Sequence, residues 1–119
     1  MKSVIFAFFA VIALSLSVPA LAHHSAARFD LSKSVEMEGV VKKYVVENPH
    51  TMLVLEVTDD KGTRTITFEG HSRNNIYRRG WRPGMVEPGD TITIHYGPRR
   101  DGKDGGYVQQ VTTEDGTSF

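Results

Sequence analysis

The chain has 119 residues, 14 Lys and Arg against 14 Asp and Glu, 5 His and no Cys. Charge neutrality argues against a domain that holds nucleic acid by releasing counterions, which needs a basic excess or a strongly basic face. The absence of Cys excludes disulfide frameworks, thiolate metal sites and Cys nucleophiles, leaving His and carboxylate as the strong metal ligands.

Lys2 is followed by a largely apolar run from Val4 to Val18 and then by Pro19-Ala20-Leu21-Ala22. A basic head, an apolar core too short for a firm membrane span and small residues at Ala20 and Ala22 predict a cleavable signal peptide over residues 1–22. Cleavage between Ala22 and His23 implies a periplasmic or secreted protein with no stable membrane span. Removing residues 1–22 takes away Lys2 and no acid, so the mature chain stays close to neutral. Residues 23–33 then form an N-terminal arm and 34–119 a single domain, since a chain of about a hundred residues buries one modest core.

Within that domain Val35, Met37 and Val41 alternate with polar residues, and beyond Lys42-Lys43 the apolar set shifts to Tyr44 and Val46. The shift predicts a long first strand with a bulge or bend. After Asn48-Pro49-His50, Leu53, Leu55 and Val57 mark a second strand; Asp59-Asp60-Lys61-Gly62 is hairpin-turn chemistry, and Ile66 and Phe68 mark a third. Ser72 can cap a short helix through Arg79 that Gly80 stops. Ile92, Ile94 and Tyr96 alternate along a fourth strand, Gly102-Lys103-Asp104-Gly105-Gly106 reads as a flexible hairpin loop, and Tyr107 to Thr112 form a fifth. This order predicts a mostly β domain, a small five-stranded OB-like barrel with one short helix between strands 3 and 4; an open sandwich is the rival, because periodicity does not say how strands close.

Cleavage would make His23 the N-terminal residue, with His24 next. A terminal amine and the adjacent imidazole can chelate one ion, and a further imidazole completes a nitrogen-rich site of the kind Cu(II) prefers. His50, on a turn stiffened by Pro49, is the expected third ligand. Against this, His23 and His24 can be plain arm residues, and His50 can cap its turn. His71 reads as a helix-capping neighbour and His95 as an outward strand residue. Around the helix, Arg73, Arg78, Arg79 and Arg82, with Arg99 and Arg100 further on, could form an anion pocket with Tyr77 or Trp81 as a stacking wall. The alternative is a solvated face balanced by Glu69 and Glu87, with Trp81 in the core. No Gly-x-Ser-x-Gly elbow or glycine-rich phosphate loop is present, so hydrolase chemistry is disfavoured.

Ala22-His23-His24-Ser25, Asn48-Pro49-His50, Phe68-Glu69, Arg78-Arg79-Gly80-Trp81 and Pro88-Gly89-Asp90 together resemble a family of small secreted bacterial proteins of unknown function. The family pattern often has Pro where this helix has Arg73. The resemblance implies export and a compact β domain, and brings no activity or ligand with it. Two functions stand out: a non-catalytic periplasmic binding protein for copper or another divalent ion through His23, His24 and His50, or a metal-free module that docks a small anion or a partner protein at Arg73, Tyr77, Arg78, Arg79 and Trp81, with Tyr44. A copper-dependent redox enzyme is a distant third.

Overall fold

The computed structural model describes residues 26–119, so the predicted signal peptide and both His23 and His24 lie outside the described residues. Five strands, β1 (Val35–Val45), β2 (Thr51–Asp59), β3 (Gly62–Gly70), β4 (Thr91–Pro98) and β5 (Gly106–Thr113), are joined in chain order, with one helix, α1 (Arg73–Arg78), between β3 and β4. They close in the order β1-β2-β3-β5-β4, with β4 returning to pair with β1. The expected five-stranded OB-like barrel is therefore the fold, and the open sandwich is not. Closure pairs the strand edges that a small sheet would otherwise expose.

The inward set follows from strand periodicity. Leu53, Leu55 and Val57 of β2, Ile66 and Phe68 of β3, and Ile92, Ile94 and Tyr96 of β4 are all buried, and Ile76, Trp81, Val86 and Phe119 cover the barrel. The core residues named here all lie in the segment from β1 to Phe119.

Two bulges adjust the pattern. Between Val41 and Lys43 the β1–β2 register shifts, which turns Tyr44 toward the side where Val41 lay, as the sequence predicts. A second shift, between His95 and Tyr96 of β4, pairs His95 with Gln110 but Tyr96 with Val108. Gln109 is the extra residue, and for that reason Val108 and Val111 are both buried although three residues apart.

The turns carry the expected chemistry. Gly62 (φ +97°) closes the β2–β3 hairpin and Gly80 (φ +113°) ends the helical segment, both in backbone conformations that side chains disfavour. Ser72 Oγ accepts the Asn75 N–H at 3.2 Å as the N-cap of α1. The 102–106 segment, expected to be a flexible loop, is tied down at Asp104, where Arg64 bridges Asp104 and Asp59, each at 2.7 Å, and just before it Arg99 binds Asp101.

β3 and β5 run parallel and pair only at Glu69↔Tyr107 and Gly70↔Val108, so this is the shortest seam of the barrel. The arm lies along its β5 side. Phe29 is buried, bridges to Arg99 and packs its ring 5.8 Å from that of Tyr107. Arg28 pairs with Glu69 at 2.6 Å, and Gln109 Nε2 donates to the Leu31 carbonyl at 3.1 Å.

Candidate functional site

The β1–β2 loop and the start of α1 are joined by backbone. The Arg73 N–H donates to the Glu47 carbonyl (2.9 Å), the Asn74 N–H to Asn48 Oδ1 (3.3 Å), and the Thr51 N–H to the His71 carbonyl (3.1 Å). The Asn48-Pro49-His50 turn and the Arg-rich helix, which the sequence presents as two separate candidate sites, are thus one end of the molecule.

Between α1 and the barrel at this end runs a crease lined by Tyr44, Leu53, His71, Ile76, Arg79 and Val108, among others. Its floor is apolar because Leu53, Ile76 and Val108 are core residues, and it has room for about one water molecule. Thr51 and the bulged Gln109 and Gln110 add polar groups to its walls.

His71 is one of three titratable side chains on its walls, with Tyr44 and Arg79. It is half-buried, and Tyr107 Oη sits 3.2 Å from its Nδ1, with the two rings perpendicular at 5.1 Å between centroids. Burial, and then the positive charge of Arg79, hold the imidazole pKa below its usual value, so it is neutral near pH 7. Burial and then the Glu69 carboxylate push the Tyr107 hydroxyl pKa up, and burial does the same for Tyr44. With Nδ1 engaged by Tyr107, Nε2 is the ring nitrogen with no partner among the described residues.

Arg79 lines the crease and has no carboxylate partner among the described residues. The acids that could have balanced the helix do not: Glu69 pairs with Arg28, and Glu87 makes no ion pair among these residues. By contrast, Arg99 is paired with Asp101, while Arg100 only reaches to 4.0 Å from Asp30, which Lys33 also approaches.

The five helix-region residues singled out in the sequence separate into three places. Arg73, Tyr77 and Arg78, with Asn74, line a shallow hollow on the outer side of α1, because positions i, i+1, i+4 and i+5 share one side of a helix. Arg79 turns to the crease. Trp81 is 7% exposed, packed in the core, and offers no stacking wall; its indole N–H is buried with no partner among the described residues. His50 is exposed, and its ring makes no hydrogen bond among the described residues, so it does not cap its turn there. Among these residues no three His, Asp or Glu side chains come together to hold a metal.

Sequence reading missed the His71–Tyr107 pair. The two residues are 36 apart in sequence and meet only because β3 and β5 pair in parallel. A His at the end of an apolar strand was the signal available, and alone it says nothing of its partner.

The fold and this crease define a small OB-type barrel module with a narrow crease at its helix-bearing end. The chain belongs to the DUF6152 family, a family of unknown function, whose pattern matches residues 11–109. No curated protein matches it. Among solved structures it is similar to one described as the crystal structure of the ZRD-deleted mutant of TiaS in complex with agmatine, at 14% identity and a TM-score of 0.47, over 68% of this chain and 21% of that one. A likeness of that size bears on neither ligand nor activity.

Proposed function

We propose that this chain is exported by way of residues 1–22 and works in the periplasm or outside the cell as a non-catalytic binding domain for a small anion, held in the crease beside α1. The observation that carries this reading is Arg79, a guanidinium without a carboxylate partner among the described residues, at the rim of an apolar recess beside a neutral imidazole. Arg presents paired N–H donors that match a carboxylate or phosphate, and a low-polarity floor strengthens such bonds. His71 Nε2 supplies a further donor or acceptor, and the anion sits at the mouth of the crease, on Arg79, rather than in its depth. The test is an NMR titration of residues 23–119 with sodium butyrate and, separately, inorganic phosphate. Shifts centred on His71, Tyr107 and Arg79 that Arg79→Gln abolishes and Arg73→Gln leaves in place support the reading; shifts indifferent to Arg79→Gln sink it.

A second reading rests on His50. Its ring is exposed and unengaged among the described residues, at the step before Thr51, whose N–H bonds the His71 carbonyl. With His23 and His24 it would offer the nitrogen-rich set that suits Cu(II) or another divalent ion. Calorimetric titration of Cu(II) into protein beginning at His23, beside a version with one extra N-terminal Ala and a His50→Ala variant, decides it. Sub-micromolar binding weakened by both changes supports copper; weak binding indifferent to both overturns it.

A further inference from the structure

The outer side of α1 is a different surface from the crease. Arg73, Asn74, Tyr77 and Arg78 line its hollow, and Arg82 continues it, with the guanidinium carbon 4.0 Å from the Tyr77 ring centroid. Arg82 is held there by its bonds to the carbonyls of Tyr77 (2.9 Å) and Trp81 (2.7 Å). None of the three arginines has a carboxylate partner among the described residues. Tyr77 is 49% exposed, which makes it the most exposed of the large hydrophobic side chains described; the others, Leu31 and Val35, belong to the arm and the start of β1.

We infer that this face docks on an anionic phospholipid bilayer, with Arg73, Arg78 and Arg82 against lipid phosphates and the Tyr77 ring at headgroup depth. Charge complementarity points to an anionic surface, and the lack of an apolar centre on this face favours a membrane over a protein. A protein interface buries an apolar centre inside a polar rim, whereas here a single aromatic ring stands among arginines. An amphipathic ring flanked by basic residues is the arrangement that sits at a lipid headgroup layer. Among the described residues no helix is long and apolar enough to cross a membrane.

The choice of substitution separates this from a site of fixed geometry. A bilayer reads the basic residues as charges, so Lys substitutes for Arg; a protein or small carboxylate held by paired N–H donors loses its match when Lys replaces Arg. Residues 23–119, with and without the variants, are sedimented with vesicles of phosphatidylcholine alone and of phosphatidylcholine mixed with phosphatidylglycerol. The expected result is binding only to the phosphatidylglycerol vesicles, falling as salt is raised. Arg73→Gln with Arg78→Gln weakens it by roughly 25-fold, about fivefold for each charge, Arg73→Lys with Arg78→Lys retains it, and Tyr77→Ser weakens it further. All these positions are exposed, and an unchanged melting temperature confirms intact folding. The inference is overturned by equal binding to both vesicles, by no binding to either, by a Gln pair that binds like the parent, or by a Lys pair that loses as much as the Gln pair, the last result showing that the face needs the fixed geometry of guanidinium rather than charge. Arg79 is unaltered throughout, so failure here leaves the crease reading untouched.

Discussion

Arg79 and His71 illustrate how two residues of ordinary type become a site through placement. A histidine half out of water resists protonation, and a guanidinium nearby, with no carboxylate partner among the described residues, adds to that resistance. Removing the charge isolates its share: Arg79→Gln is expected to raise the His71 pKa, as followed through its ring protons by NMR. An unchanged or lowered value would show that Arg79 does not act on the imidazole. The His71 contribution to stability has a definite sign. Its folded pKa lies below the unfolded value of about 6.5, so the unfolded chain binds more protons in the window between them, and that contribution is present above about pH 6.5 and is lost as pH falls through the folded value. Trp81 makes the opposite point, since an aromatic ring beside arginines in sequence is a core residue in space.

At the level of elements, the strands, the hairpin turn, the Ser72 cap and the bulge in β1 were legible because each rests on local chemistry: alternation, a left-handed glycine, a hydroxyl at a free N–H, a shift of apolar phase after Lys42. The bulge at Gln109 was not. Val108 and Val111 are too few residues to reveal a phase change, and the register that creates it is set by the partner strand. The packing of Phe29 was hidden in the same way, because it rests on a seam between strands distant in sequence. Since that seam has only two paired positions, the arm is expected to matter more than its length suggests. Phe29→Ala should cost about 3–5 kcal/mol in urea unfolding, the range for truncating a buried Phe. A loss under about 1 kcal/mol, the size expected of an exposed side chain, would mean that the arm is only an attachment.

Taken whole, the molecule is near neutral but polarised. Asp59 and Asp104 share Arg64 at the far end of the β2–β3 hairpin, two carboxylates on one guanidinium, while Arg73, Arg78 and Arg79 stand without carboxylate partners among the described residues at the α1 end. Composition reports only the neutral total, so the basic end was visible as a run of arginines but not as an uncompensated one. Ion-pair geometry decides that, and it also removes Arg99 from the group. The most direct test of the crease as an anion site is the NMR titration of the His71 imidazole in residues 23–119, with and without saturating sodium butyrate. An anion on Arg79 offsets the charge that disfavours imidazolium, so the account predicts a higher His71 pKa with butyrate bound and tighter butyrate binding as pH falls through that range. A His71 pKa that stays fixed while butyrate binds would place the anion elsewhere and contradict it.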